Sequence, residues 1–350
     1  MARKKKNRKS SSTLEIINSA AAGIDLGSTS HWACISEPDT GEQLVSEFST
    51  DTPSLRELAE WLEKADISTV AMESTGVYWI PLYEMLSSRG FEVILTDTRS
   101  LSSVPGRKTD VLDCQWIQQL HACGLLQGAF RPGDSIVKFR ALARMQRTLT
   151  DQRADWLRRM QKELDVMNIR VHRAVADITG ATGMRIIGAI VDGERDPARL
   201  AAMRDARCRL SKEQIQRELT GNWREEHLFN LSMAFRMYEN MCQAIKDVEQ
   251  KILDLLSTIP GTDAAAPPPA KETKAKTMRK RGEEQLRQAL YSISGVDLTS
   301  IDGIGVGTAQ TILSEIGPDV TMFPTEDQFA SYLRLAPNTP ISGGKRVRGG

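Results

Sequence analysis

Short apolar runs and amphipathic stretches alternate along the first third of the chain. Runs rich in apolar and β-branched residues predict strands at Ala22–Leu26, His31–Ser36, Gln43–Phe48, Val70–Glu73 and Phe91–Thr96. Apolar positions at three- and four-residue steps predict helices at Pro53–Lys64, Val77–Arg89 and Thr109–Cys123. The order βββαβαβα predicts an α/β domain with a mixed sheet and helices on both faces.

From Ile136 to about Ser257 the pattern is helical. Its first part is long and strongly charged, which predicts a coiled-coil hairpin or a dimer contact. Prolines followed by Lys/Glu/Thr repeats at Thr262–Gly282 predict a linker, and a small, mainly helical unit follows from Leu286. We therefore divide the chain into a disordered basic tail (1–20), a mixed-sheet domain (21–133), a helical region (134–260), a flexible linker (261–285) and a C-terminal domain (286–350).

Composition excludes several classes of protein. The chain has 350 residues, of which 40% are hydrophobic and 26% charged, so it is neither wholly disordered, nor a collagen, nor a coiled-coil rod. No stretch approaches 18 consecutive apolar residues, and the basic N-terminus makes a poor signal peptide. Five scattered cysteines without a CxxC pair favour a reducing cytoplasm over a disulfide framework or a cysteine-based zinc site.

Charge is uneven although the net charge is only +1. Basic residues dominate four blocks, at Met1–Lys9, Lys138–Ala174, Lys271–Arg287 and the last eleven residues. Such blocks are typical of phosphate-binding surfaces and equally of solvated helix faces and tails.

Two predicted strands end in an acid. Asp25 lies near the end of the first strand and is followed by a glycine turn, and Glu73 ends a later apolar strand. The Asp25 turn has three interpretations: it wraps a nucleotide phosphate as in actin-like kinases, it binds Mg²⁺ as in RNase H-like nucleases, or Asp25 caps its own turn. The nearly all-helical pattern of the region from Ile136 to Ser257 lacks the further glycine-rich loops of a kinase.

Two further acids, Asp110 and Asp113, are three residues apart at the start of a predicted helix and therefore share one face. Acids in a first turn also complement the helix dipole, but that role does not explain the two strand-end acids. In an RNase H-like sheet all four carboxylates would meet at one edge and repel each other unless divalent cations bridged them. The pattern predicts two Mg²⁺ ions, with Arg107 and Lys108 beside a bound phosphate.

The segments Gly23–Trp32, Val70–Trp79 and Val104–Trp116 closely resemble the N-terminal domain of bacterial insertion-sequence transposases with a RuvC-like DEDD domain. These proteins are also called bridge-RNA-guided serine recombinases, and the pilin-inverting recombinases are their relatives. The resemblance implies an RNase H-like (RuvC-like) fold and a Mg²⁺-dependent site at Asp25, Glu73, Asp110 and Asp113. It also implies a homodimer or homotetramer acting on donor and target DNA duplexes, and a structured non-coding guide RNA that selects the sites.

The C-terminal unit contains two further motifs. The glycine turn at Gly303, Gly305 and Gly307 before a predicted helix is typical of a helix-hairpin-helix that binds nucleic-acid phosphate, or of a tight loop between packed helices. Ser342 stands before two glycines, with Lys345 and Arg346 close behind. By itself this pattern indicates a flexible turn.

The resemblance instead implies that Ser342 attacks DNA and forms a covalent phosphoserine link, while Lys345 and Arg346 neutralise the phosphate. Related proteins continue beyond the position of Gly350. The resemblance therefore leaves two alternatives: a natural end with a C-terminal domain shortened relative to theirs, or a fragment of a longer chain.

From the sequence we therefore predict a DNA transposase or recombinase that acts in the bacterial cytoplasm, at the nucleoid. Two alternatives remain: a metal-dependent junction nuclease in which Ser342 is structural, and a non-catalytic nucleic-acid-binding remnant.

Overall fold

A computed structural model describes residues 15–37, 40–74, 76–96, 110–126, 128–206, 208–262, 281–333, 335, 341–342 and 345–346. The chain divides into two compact units, Met1–Arg131 and Pro132–Gly350. The finer division into five segments stays a prediction.

The first unit is built on a five-stranded sheet. Its strands are β1 (Ala21–Leu26), β2 (Ser30–Ser36), β3 (Gln43–Ser49), β4 (Thr69–Glu73) and β5 (Glu92–Thr96). They lie in the order β3-β2-β1-β4-β5. β1 pairs antiparallel with β2 and β2 with β3, whereas β4 runs parallel to both β1 and β5. The predicted mixed sheet is thus confirmed, and it is consistent with an RNase H-like domain.

In the described part of the first unit three helices cover the sheet: α1 (Thr52–Lys64), α2 (Trp79–Ser88) and α3 (Asp110–Ala122). α1 begins where the Asp51 side chain accepts a hydrogen bond from the Ser54 backbone nitrogen at 3.0 Å. The apolar faces of α1 and α2 pack on one face of the sheet, in a core that includes Ile24, Leu58 and Met72. α3 packs on β1, β2 and β4.

The second unit contains a hairpin of two long helices, α4 (Asp134–Val166) and α9 (Glu225–Thr258). They run antiparallel, because Gln146 contacts Glu249 at 3.1 Å and Glu163 contacts His227 at 2.7 Å. The hairpin agrees with the sequence pattern, whereas coiled-coil supercoiling and a dimer contact stay predictions.

Four short helices join the long ones: α5 (Val171–Ala174), α6 (Ala181–Val191), α7 (Pro197–Ala202) and α8 (Lys212–Glu218). They share one hydrophobic core with the neighbouring ends of α4 and α9, around residues such as Leu164, Ile187 and Leu231. Their packing therefore closes one end of the hairpin.

The opposite end of the hairpin packs on α10 (Arg281–Ser294) and α11 (Val306–Ile316), with Phe139, Leu290 and Leu313 in the shared core. A short helix, α12 (Glu326–Tyr332), and a two-strand ladder of β6 (Ile341–Ser342) and β7 (Lys345–Arg346) follow. No helix in the described part of the chain is both long enough and apolar enough to cross a bilayer.

Candidate active site

Two of the four predicted acids lie side by side at the carboxyl edge of the sheet. β1 and β4 pair in parallel with Ile24 opposite Met72, so the next residues, Asp25 and Glu73, occupy neighbouring positions. Ile24 and Met72 lie in the core, and since side chains alternate along a strand, Asp25 and Glu73 project from the other face. Neighbouring strands are about 4.8 Å apart, which allows one cation to contact both carboxylates.

Helix α3 lies on the face of the sheet that carries these acids, and it approaches β1 closely at Gly23. A Cβ atom at this glycine would stand 2.1 Å from the backbone nitrogen of Gln118 and 2.6 Å from the carbonyl oxygen of Cys114. The buried Gln118 side chain donates to the Ala21 carbonyl at 3.3 Å and to the Ser36 hydroxyl at 2.9 Å. These contacts fix α3 on β1 and β2.

The direction of α3 brings its first turn to the carboxyl edge. Its last turn lies at the start of β1, because the Ile17 backbone nitrogen donates to the Ala122 carbonyl at 2.8 Å. The helix is therefore antiparallel to β1, and Asp110 and Asp113 are at the same end of the sheet as Asp25.

Asp113 lies on the side of α3 that faces β4. It precedes the buried Ile117 by one turn, and one turn further His121 contacts the Thr69 hydroxyl of β4 at 2.9 Å. Asp113 and Glu73 thus flank the same end of the helix–sheet interface.

The complete four-acid site is not described. Among the side chains that the structure places, no three His, Cys, Asp or Glu side chains form a group that could hold a metal ion. The Asp110 side chain, Arg107 and Lys108 lie outside the described residues. The four-carboxylate Mg²⁺ site therefore stays a prediction, of which the structure shows the strand positions of Asp25 and Glu73 and the helix position of Asp113.

The donor chemistry at this edge fits a divalent cation. Carboxylate oxygens are the hard ligands that Mg²⁺ prefers, and two carboxylates on adjacent strands repel each other unless a cation or a proton intervenes. Asp25 and Glu73 are both partly buried. Asp25 and Glu73 are the described pair on adjacent strands that could contact such an ion; in the described conformation Asp113 does not complete a group of three with them.

Two ionisable groups at the interface of α3 with the sheet, Cys34 and His121, are unsuited to nucleophilic or acid–base chemistry. The Cys34 thiol lies beneath α3, and its hydrogen bond with Cys114, together with burial, raises its pKa far above the usual range, so it stays protonated. Burial lowers the pKa of His121, so the imidazole that contacts Thr69 is neutral near pH 7. These groups therefore act as packing groups, and the carboxylates carry the charge of the edge.

Three residues in register with the acids were missed by the sequence analysis. Asp25 is paired with Trp32 on β2, Trp32 with Glu47 on β3, and Glu73 with Thr96 on β5. One row of side chains thus crosses the sheet at its carboxyl edge. Strand register would have identified this row, but the register depends on pairings between distant segments.

The glycine turn before α11 exposes backbone. Gly303 has φ +89°, and Gly305 precedes the helix without a side-chain cap. Cβ atoms at Gly303, Gly305 and Gly307 would meet no atom within 4 Å. The first N–H groups of α11 are therefore accessible to a phosphate, although the helix-hairpin-helix interpretation stays a prediction.

Ser342 ends strand β6, and Lys345 begins β7 directly opposite. Gly343 and Gly344 between them, and the side chains of Ser342, Lys345 and Arg346, lie outside the described residues. The predicted nucleophile is thus on a short antiparallel ladder, and its chemical role stays a prediction.

Part of the basic block at Lys138–Ala174 is used within the chain. Arg140 donates to the Ser314 and Glu315 carbonyls and Arg144 to the Glu315 carboxylate, while Arg170 pairs with Glu218 at 2.9 Å. These arginines hold helices together, so the block as a whole is not one phosphate-binding surface.

Comparison with known proteins agrees with this geometry. Residues 22–169 match the family model of DEDD transposases of the IS110 type, described as a transposase, and residues 295–350 match the model of the IS116/IS110/IS902 transposase family. A protein of Streptomyces coelicolor, the insertion element IS110 uncharacterized 43.6 kDa protein, is 37% identical over 117 residues. That match covers 32% of this chain and 27% of the Streptomyces protein, so it spans less than a third of either.

The first matched region contains β1 to β5, α1 to α3 and all four predicted acids, and the second contains the glycine turn and Ser342. The two matched regions together cover more than half of the chain, which therefore belongs to the IS110-type transposases of insertion elements.

Proposed function

We propose that this chain cleaves and rejoins DNA to move an insertion element. The observation that supports this best is the pairing of β1 with β4, which sets Asp25 and Glu73 side by side where α3 begins. Phosphodiester transfer needs a cluster of negative oxygens that can hold divalent cations, and the neighbouring positions of these two acids support such a site at this edge.

In this proposal Asp25, Glu73, Asp110 and Asp113 hold up to two Mg²⁺ ions. When bound there, the ions would polarise the scissile phosphate and stabilise the leaving oxygen. Asp25, Glu73 and Asp113 are partly buried at strand and helix ends, which supports a site that reorganises little when the DNA binds. Arg107, Lys108 and the glycine turn at Gly303 would position the DNA backbone.

Ser342 is the proposed nucleophile. Its oxygen forms a bond to phosphorus while the bond from phosphorus to one deoxyribose oxygen breaks. The serine hydroxyl loses its proton, and the leaving deoxyribose oxygen gains one to become a hydroxyl. The resulting phosphoserine ester conserves the energy of the broken bond, so a second DNA end can be joined without ATP. Lys345 and Arg346 would neutralise the phosphate during both steps.

The resemblance of the acid-bearing motifs supports two further parts of the proposal. A structured non-coding RNA would select the DNA sites by base pairing, so that the protein reads shape and charge. The active assembly would be a homodimer or homotetramer that holds donor and target duplexes together.

One experiment tests both halves of the mechanism. Labelled DNA containing the element's ends is incubated with the full chain, its guide RNA and Mg²⁺, and the products are denatured and separated. Asp25→Asn should abolish strand cleavage without changing the melting temperature, whereas Glu47→Gln, in the same row of the sheet but two strands away, should cleave normally. Ser342→Ala should form no labelled protein adduct.

The alternatives give different products. Cleavage without any adduct, in both the unmodified chain and Ser342→Ala, would indicate a metal-dependent junction nuclease. Binding without cleavage would indicate a non-catalytic remnant. A fully active Asp25→Asn protein would refute the carboxylate site.

A further inference from the structure

An apolar turn follows strand β4 at the carboxyl edge of the sheet. We call Gly76–Ile80 the edge turn. Its large side chains are unusually exposed: Val77 by 66%, Tyr78 by 44% and Ile80 by 36%. Single exposed apolar residues are normal on a protein surface, whereas three within four positions form a local apolar patch.

The edge turn is held in a defined conformation. Gly76 has φ +56°, a backbone conformation that favours glycine. The Trp79 indole nitrogen donates to the Gly76 carbonyl at 3.2 Å, and the Ile80 backbone nitrogen donates to the Val77 carbonyl at 3.2 Å. Exposure of the apolar side chains is therefore a property of an ordered turn.

The two aromatic rings of the turn have different environments. Trp79 is half-buried and meets Tyr83 edge to face at 5.7 Å, within the core of the first unit. The Tyr78 ring lies beside Gly76, where a Cβ atom would be 3.7 Å from two of its ring carbons. The tryptophan thus anchors the turn, and the tyrosine presents an aromatic face to solvent.

The position of Tyr78 relates it to the acid pair. Tyr78 is five residues after Glu73, so the Cα atoms of the two residues are at most about 17 Å apart. Stacked nucleotides of one strand are about 3.4 Å apart, so this distance corresponds to a few nucleotides from a phosphate bound at the acids. No residue of the edge turn is charged, which suits a base better than a phosphate.

We propose that Tyr78 stacks on an unpaired nucleobase close to the phosphodiester bound at Asp25 and Glu73, with Val77 widening the apolar surface. This inference rests on the proposed function, because it takes nucleic acid as the substrate of the acid edge. Aromatic side chains stack on any base, so the contact would hold the opened strand without selecting its sequence.

The test compares two single-stranded probes of equal charge, a 20-nucleotide oligothymidine and an abasic oligomer of the same length. With the full chain at fixed salt, Tyr78→Ala should weaken oligothymidine binding roughly tenfold and leave abasic binding unchanged. Tyr78→Phe, which keeps the ring, should bind both probes as the unmodified chain does. Tyr332→Ala, which removes an exposed tyrosine of the second unit, is the matched control and should change neither.

Two results would overturn the inference: unchanged oligothymidine binding by Tyr78→Ala, or equal weakening for both probes. The second would show a structural role, which a lowered melting temperature would identify. Because binding needs no cleavage, the assay is independent of the catalytic proposal. If Tyr78→Ala weakens only oligothymidine binding but the unmodified chain never cleaves DNA, stacking is supported and the transposase mechanism is refuted. If the unmodified chain cleaves DNA but Tyr78→Ala does not selectively weaken oligothymidine binding, only the stacking inference is overturned.

Discussion

At the scale of single residues, Gly23 sets the distance between α3 and the sheet. The backbone of Gln118 and Cys114 fills the space that any side chain at this position would need. The close approach brings α3 down onto β1, and with it the helix end that carries Asp110 and Asp113. One missing Cβ atom is therefore a condition for the acid edge.

Gly23→Ala should destabilise the first unit by about 1–3 kcal/mol, because the new methyl group meets backbone that cannot rotate away. Urea unfolding of the full chain, followed separately for each unit, measures the effect. Gly282→Ala is the control: this helical glycine of α10 has open space around it, so alanine should be neutral or stabilise by up to about 1 kcal/mol. Equal stability of Gly23→Ala and the unmodified chain would contradict the packing argument.

Arg287 is a second residue whose environment decides its role. Its side chain is only 3% exposed and pairs with Asp297 and Glu284. Burial acts to raise the pKa of Asp297, but hydrogen bonds from Arg287 and Thr299 hold it below its usual value. The pair fastens α10 to the turn that leads to the exposed glycines.

Asp297→Ala should cost about 3 kcal/mol of unfolding free energy at pH 7, because it leaves a buried guanidinium without this partner. A carboxylate whose pKa is lowered in the folded state stabilises the fold at pH values above its unfolded-state pKa, about 3.9. This stabilisation is lost as the pH falls through the folded-state pKa. The stability difference between variant and unmodified chain should therefore be constant above about pH 5 and shrink in stronger acid.

Asp319→Ala is the matched control for this pH series. Asp319 makes the same hydrogen bonds to Thr321 that Asp297 makes to Thr299, but at an exposed position. We expect a much smaller loss of stability from Asp319→Ala. An equal loss in both variants, independent of pH, would show that the local turn matters and the arginine pair does not.

At the scale of elements, two arginines of α4 hold the C-terminal end of α11. Arg140 donates to the Ser314 and Glu315 carbonyls, which a helix leaves unpaired at its last turn. Arg144 makes two hydrogen bonds of 2.8 Å to the Glu315 carboxylate. The glycine turn at the other end of the same helix is thereby fixed against the long hairpin.

Arg140→Ala should destabilise the second unit by about 2 kcal/mol, since it removes charged hydrogen bonds from partly buried carbonyls. Arg158→Ala, which removes an exposed pair with Asp155 on the same helix, should cost at most about 0.5 kcal/mol. Thermal or urea unfolding distinguishes them. If the two variants lost the same stability, the contact between α4 and α11 would be an ordinary surface pair.

At the scale of the whole molecule, a net charge close to zero conceals local clusters of basic residues. The net charge is +1, yet basic residues cluster in the N-terminal tail, in α4 and near the chain end. The two α4 arginines that pair with Glu315, and Arg170 just after α4, which pairs with Glu218, are not available to nucleic acid. The proposed nucleic-acid interface would therefore use the remaining basic side chains together with the exposed glycine turn.

The affinity for structured RNA or duplex DNA should consequently fall steeply as the salt concentration rises from about 50 to about 200 mM. Each phosphate contact releases a counterion, so a plot of log affinity against log salt is linear and its slope counts the contacts. Filter binding or fluorescence anisotropy at several salt concentrations measures it. A flat response would contradict a phosphate-driven interface.

The sequence by itself determined the strands and helices described in the first unit, the helical character of the region from Ile136 to about Ser257 and the choice of candidate acids. Each of these depends on neighbours within a few positions: apolar alternation for β1 and β4, the 3.6-residue period for α1 and α4, and a carboxylate at a strand end for Asp25 and Glu73. A short window of sequence is sufficient to predict these features, because each depends on residues close together in the chain.

Only the tertiary structure decided which of these pieces meet. The pairing of β1 with β4 joins residues 48 positions apart along the chain, as Ala22 pairs with Val70, and it alone sets Asp25 beside Glu73. The same holds for Trp32 beside Asp25, for α3 over Gly23 and for the α4 arginines at the end of α11. Such contacts arise because burial of apolar surface and pairing of backbone groups are satisfied over the whole chain at once, and no short window of sequence contains both partners.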